Sequence, residues 1–192
     1  MEDATQEHLE HAEHAEHAAH ENNPFLTTVS ITIAILAVIA ATIGSLETLE
    51  TANAIAEKNA AVLKQSQASD QWTYYQAKSL KKNMFEIATA QAVAAGSAKA
   101  DDFAKTAKRY ENEQDEIKKQ AEELEHQRDE KLESGDHHEH RHHILTIGVT
   151  IVHVSIAIAT IAIITKGKRW PWIMALGLCA LGVVFSGTAY LG

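Results

Sequence analysis

Apolar residues gather in three blocks along this chain, and polar residues fill the stretches between them. The first block, 26–46, has no charged side chain. The second, 144–165, is interrupted only by His153 and by small polar residues, and the third, 170–191, opens on Trp170-Pro171-Trp172. A hydrocarbon core about 30 Å thick is crossed by about 20 helical residues, so each block predicts a transmembrane helix. The hydroxyls of Thr27, Thr28, Ser30, Thr32, Thr42 and Ser45 can bond back to helix carbonyls, so they do not count against the first span.

The middle of the chain, 47–143, changes its pattern. Ala77, Leu80, Met84, Ile87, Gln91 and Ala94 recur with the alternating three- and four-residue steps of a coiled-coil seam. Gly96-Ser97 interrupts them. Asp101 is placed to cap a new helix, with Asp102 in its first turn. A second seam follows through Phe103, Ala107, Tyr110, Gln114, Ile117, Ala121, Leu124, Arg128 and Lys131, and Ser134-Gly135 is expected to end it. Two seamed helices joined by a turn near 95–101 predict an antiparallel hairpin. A turn centred near Ala98 sets Phe103 opposite Ala94, Ile117 opposite Leu80 and Leu124 near Trp72.

Composition strengthens this all-α reading. The 192 residues hold two prolines, Pro24 and Pro171, and abundant Ala, Glu, Lys and Gln, which favour helix. No period-two alternation of any length predicts a sheet. The net charge of −9 argues against nucleic acid, whose phosphates call for clustered Lys and Arg. The one cysteine, Cys179, excludes an intrachain disulfide. The first 23 residues contain no Lys or Arg, so they make a poor secretory signal. The short basic turn at 166–169, Lys-Gly-Lys-Arg, is the clearest orientation signal. The positive-inside rule puts that turn and the N-terminus in the cytoplasm, and the hairpin and C-terminus outside. Lys58 and Lys64, which follow the first span, point weakly the other way.

Candidate chemistry lies mostly with histidine. His8, His11, His14, His17 and His20 recur every third residue between glutamates in the polar tail 1–25. Imidazole ligates zinc, nickel and copper, and neighbours at i and i+3 form pairs on a helix. Steps of three drift by about 60° each, so the five do not share one face. Several weak sites fit them better than one closed site, and a solvated low-complexity tail is the competing reading. A second cluster, His137, His138, His140, His142 and His143, occupies the juxtamembrane segment 136–143. It reads either as a metal or ion entry point or as a pH-titrating linker. His153 stands about ten residues into the second span, where ionisable groups usually face a bundle interior or water. It suits either an ion relay or a hydrogen bond to a neighbouring helix.

Packing positions complete the candidates. Trp72 and Tyr75 share one helix face, while Tyr74 leads onto the seam through Leu80 and Met84. With Phe103, Tyr110, Ile117 and Leu124 they predict closure of the hairpin or of an oligomer. Gly182 and Ser186 have the small-xxx-small spacing that lets helices approach closely. The chain has no phosphate-binding loop, dinucleotide fingerprint, zinc-protease helix or nucleophile constellation, so no enzymatic activity and no small-molecule substrate are expected.

The His/Glu-rich tail at 7–21, the stretch Asp-Gln-Trp-Thr-Tyr-Tyr-Gln-Ala-Lys-Ser at 70–79, the charged helix at 110–124 and the basic-aromatic turn at 166–172 together resemble a family of bacterial membrane proteins catalogued only as a domain of unknown function. The resemblance covers nearly the whole chain, and the 70–79 stretch is its specific part. The dense cluster 137–143 departs from the pattern. The resemblance implies a bacterial inner-membrane protein and no particular activity. The sequence thus leads to an integral membrane protein with three transmembrane helices and a helical hairpin between the first and second. The expected role is structural or interactive, in a homo-oligomer set in the lipid bilayer. The alternative is an oligomeric metal-binding or ion-conducting assembly that uses both histidine clusters and His153.

Overall fold

The computed structural model describes residues 24–165 and 168–191. These residues form three helices and no strand: α1 (Pro24–Ala94), α2 (Ala100–Ile164) and α3 (Arg169–Thr188). Each contains a segment long and apolar enough to cross a membrane. The chain divides into two compact units. One takes the chain through Ala54 and again from Asp136, and the other is Ile55–Gly135.

In the first unit, one face of each helix is buried, and on each the buried positions advance by alternating steps of three and four. On α1 they are Leu26, Val29, Ile33, Leu36, Ala40 and Ile43; on α2, Leu145, Val149, Val152, Ile156 and Ala159; on α3, Ala175, Cys179, Gly182 and Ser186, with Ala189 in the turn after it. This 3.5-residue period keeps one stripe of each helix facing its neighbours. At the start of α1, Phe25 meets Trp172 edge to face at 6.0 Å, and Trp172 Nε1 donates to Thr32 Oγ1 at 3.1 Å. At the other end of this segment, the Tyr190 hydroxyl donates to Glu50 Oε1 at 3.1 Å. The α3 helix therefore runs parallel to this part of α1, and α2 runs antiparallel to it. Pro171, in the first turn of α3, is buried and gives up no helix hydrogen bond there.

Small residues set the spacing between α2 and α3. A Cβ on Gly148 would overlap Ser186 Oγ and come within 3.2 Å of the Gly182 carbonyl. A Cβ on Gly182 would meet Val152 Cγ2 at 2.9 Å and the Gly148 carbonyl at 3.1 Å. The pair Gly182 and Ser186 therefore serves packing within the chain, against Gly148.

The second unit is a hairpin. Its turn is a Schellman closure: Gly96 takes φ 63°, Ser97 N–H donates to the Ala92 carbonyl, and Gly96 N–H donates to that of Val93. Helix α2 begins at Ala100, so Asp101 is not the cap. It lies with Asp102 in the first turn, where both favour the positive end of the helix dipole. Lys82–Glu111, Lys78–Glu113 and Trp72–Glu125 pair antiparallel across the hairpin. Phe85 packs against Phe103 and Tyr110, with centroids 6.1 and 5.8 Å apart.

Three expectations from the sequence need correction here. The α1 seam is rotated. Ala77, Leu80, Met84, Ile87, Gln91 and Ala94 are all exposed, while the hairpin is closed by a second repeat through Ala61, Ala68, Tyr75, Lys78, Lys82, Phe85 and Ala92. Both repeats have seam spacing, and spacing alone does not say which one meets α2. The carboxylates of Glu111 and Glu113 decide it, because their donors Lys82 and Lys78 belong to the second repeat, and Trp72, beside that repeat, donates to Glu125. On α2, by contrast, every expected seam position from Phe103 to Lys131 is buried or half-buried. Because the α1 face is turned, Phe103 meets Phe85 rather than Ala94, and Leu80 does not face Ile117. Finally, Ser134-Gly135 does not end the helix: α2 continues to Ile164 and Gly135 is buried within it. A helical glycine costs only about 1 kcal/mol relative to alanine, which the flanking helix formers and packing override.

The Gly148 contact yields a paired prediction. Gly148→Ala should cost about 1–3 kcal/mol through overpacking, read as a lower unfolding temperature of the detergent-solubilised protein. Gly187→Ala, where nothing lies within 4 Å of the new methyl group, should leave it unchanged. Equal effects of the two substitutions would contradict the close approach.

Candidate functional site

The seam positions of α1 and α2 stay in step as the apolar segments give way to polar ones, and there they carry charge. Continuing the α1 stripe past Ala40 and Ile43 by four and three residues reaches Glu47 and Glu50. Continuing the α2 stripe past Lys131 reaches Gly135, His138, His142 and then Leu145. Two acidic seam positions thus face two histidine seam positions within the first unit.

Glu50 is buried, with 5% of its surface exposed. Its Oε2 lies 2.5 Å from His138 Nδ1, and its Oε1 accepts from the Tyr190 hydroxyl. An ionised Glu50 only accepts, which makes Nδ1 of His138 the donor of this bond. One turn away, Glu47 Oε1 accepts from Thr146 Oγ1 at 2.7 Å and lies 3.7 Å from His142 Nδ1. The nearer partner of His142 Nδ1 is Thr51 Oγ1, at 2.9 Å. The Thr51 hydroxyl already donates to the Glu47 carbonyl at 2.9 Å, so it accepts from His142. Arg141 places its guanidinium 5.5 Å from the centre of the Tyr190 ring. The cluster therefore joins α1, α2 and the turn after α3 through charge-assisted hydrogen bonds, the stronger class of such bonds.

This arrangement divides the juxtamembrane histidines. His138 and His142 face α1, whereas His137, His140 and His143 are exposed. Among the described residues, no group of three or more His, Cys, Asp and Glu side chains is arranged to hold a metal ion. The tail histidines His8, His11, His14, His17 and His20 lie outside the described residues. His153 is exposed on the outer face of its unit, beside the buried seam residue Val152, and does not enter the three-helix core. Its position off the stripe explains this, since a bundle this slender leaves most of each helix surface facing outward.

The aromatic stretch is a packing node of the hairpin. Trp72 Nε1 donates to Glu125 Oε1 at 2.8 Å, and its ring meets Tyr75 edge to face at 5.6 Å. Tyr74 is half exposed, with Lys78 Nζ 5.0 Å from its ring centre. The hydrogen bond to Glu113, and then that to Tyr74, hold the Lys78 ammonium above its ordinary pKa. The same Lys78 bond holds the Glu113 carboxyl below the usual carboxylate range.

The match that places the chain covers residues 25–192, nearly all of it. The chain belongs to the DUF4337 family. The description of that family is a domain of unknown function, so membership supplies no activity. No curated protein and no solved structure matches the chain. Within this DUF4337 chain, reading for histidine density missed Glu47, Glu50, Thr51 and Tyr190. The signal that finds the two glutamates is the seam itself, extended without a gap from Ile43.

The cluster predicts an order of stabilities. His138→Ala leaves the Glu50 carboxylate buried with one donor and should cost about 2–3 kcal/mol, discounted for the partial exposure of the imidazole. Tyr190→Phe removes one hydrogen bond at a half-exposed ring and should cost less than about 1 kcal/mol. Thermal unfolding in detergent measures both. A His138→Ala protein as stable as wild type would show that the pair does not clamp the helices.

Proposed function

We propose that this chain is a membrane-anchored, homo-oligomeric helical-hairpin protein of the bacterial inner membrane, with a structural or interaction role. The observation that carries the reading is the single unbroken seam of α1. The same three-four repeat that buries Leu26 to Ile43 also contains Ala54, Ala61, Ala68 and Ala92. One helix thus supplies both an apolar membrane segment and one side of a polar hairpin, with a single packing rule. Along it Glu50 pairs with His138, Glu57 with Lys131, Lys78 with Glu113 and Lys82 with Glu111, as a clamp requires. A slim three-helix protomer leaves large apolar side chains exposed, among them Leu80, Met84 and Ile87 outside the apolar blocks, and this favours self-association.

Under this reading the protein in mild detergent or lipid nanodiscs has a mass, after subtraction of the belt, of at least twice the 21.0 kDa chain. Native mass spectrometry measures it. A monomer over the whole accessible concentration range would overturn self-association.

The orientation we propose puts the basic turn at 166–169 in the cytoplasm and the hairpin outside. Lys119 is exposed on α2 of the hairpin. In a Cys179→Ala background, Lys119→Cys should react with an impermeant maleimide in spheroplasts. Reaction only after permeabilisation would reverse the orientation.

A further inference from the structure

We infer that the exposed stripe Ala77–Leu80–Met84–Ile87–Gln91–Ala94 is a coiled-coil surface for the same stripe of a second copy, with the two α1 helices parallel. The inference rests on the self-association proposed above and names its surface. Leu80, Met84 and Ile87 are 64%, 61% and 60% exposed, an arrangement that water disfavours on a polar hairpin. Their spacing is that of core positions a and d of a heptad. Taking Ala77, Met84 and Gln91 as a and Leu80, Ile87 and Ala94 as d, the inward-facing Tyr75, Lys78, Lys82, Phe85, Thr89 and Ala92 fall at f and b. The outer stripe is therefore the opposite face of the helix from the one α2 covers. One helix carries two seams, and the hairpin occupies only one.

The residues flanking the stripe favour a second copy as the occupant. In a parallel pair, each g position meets the e position five residues on in the partner. Here those pairs are Gln76 with Lys81, Asn83 with Ala88, and Ala90 with Ala95. None sets like charges against each other, so identical helices meet without the repulsion that usually guards against self-pairing. The outer face of α2 is a poor alternative occupant, because it exposes Lys105, Lys108, Glu116, Lys118, Glu122 and Asp129. A polar residue at a single a position fixes register, and Gln91 occupies such a position. The membrane segments hold every copy the same way up, which makes the pair parallel. They also raise the local concentration, so that a short seam suffices.

Disulfide trapping in native membranes tests the inference. In the Cys179→Ala background, Leu80→Cys, Met84→Cys and Ile87→Cys are each oxidised with copper phenanthroline. Glu86→Cys on the same helix and Glu116→Cys on α2 serve as comparators. Because a disulfide forms only at Cβ separations of about 3.5–4.5 Å, stripe positions should give at least about fivefold more cross-linked chain than the comparators. The product should have twice the 21.0 kDa mass. A Met84→Glu protein that keeps its helix content should fall to a smaller assembly by native mass spectrometry. Equal cross-linking at Glu86→Cys or Glu116→Cys, or an adduct of any other mass, overturns the stripe as a self-contact. If the protein is multimeric but the stripe positions do not cross-link, this inference fails and self-association stands. If the protein is monomeric, both fail.

Discussion

Glu50 is a carboxylate held almost out of reach of water, and the arrangement of the first unit depends on satisfying it. A buried charge is tolerated only when donors surround it. Those donors come from two directions, His138 on α2 and Tyr190 in the turn after α3. Each fixes a helix against α1 at the level where the apolar blocks end. Glu47 repeats the device one turn away through Thr146, with Thr51 holding His142 beside it. The apolar packing of Val29 to Ile43 against α2 and α3 is not directional. The hydrogen-bonded pairs are, and they set register and rotation where packing alone would let the helices slide.

The same periodicity governs both units. The seam of α1 carries mostly large apolar residues in the apolar segment, then the two glutamates, then alanines, then the aromatics and lysines of the hairpin. What changes along it is chemistry; the geometry stays the same. In the hairpin the small seam residues let the backbones approach. Lys78, Lys82 and Trp72 then meet the carboxylates of α2. The two half-buried ion pairs add little stability individually. They do choose which face of α1 turns inward, and so which face is left outside.

The histidines illustrate how density misleads. Five histidines in a short segment invite a metal reading, yet only those on the seam, His138 and His142, face α1. A helix distributes neighbours around its circumference, so a cluster in sequence is seldom a cluster in space. The pairing with Glu50 and Glu47 was legible only by extending the seam through Gly135, a residue whose usual meaning is a helix end. The Tyr190 contact had no local signal at all, because it joins residues far apart in the chain.

The sequence by itself determined the three apolar segments, the all-α class, the two hairpin helices with their Gly96 turn, the seam of α2 and the membership of a family. The first four are local properties, set by hydropathy, propensity or spacing; the family rests on the match of particular residues, the stretch 70–79 above all. Only the tertiary structure decided that α2 runs through Gly135, that Gly182 and Ser186 pack on Gly148, that Glu50 is buried, and that the Leu80–Met84–Ile87 stripe faces outward. Each of these depends on which side chains stand opposite. A repeat of three and four marks a stripe on a helix, but the partner that covers it is chosen by charge and size on another part of the chain.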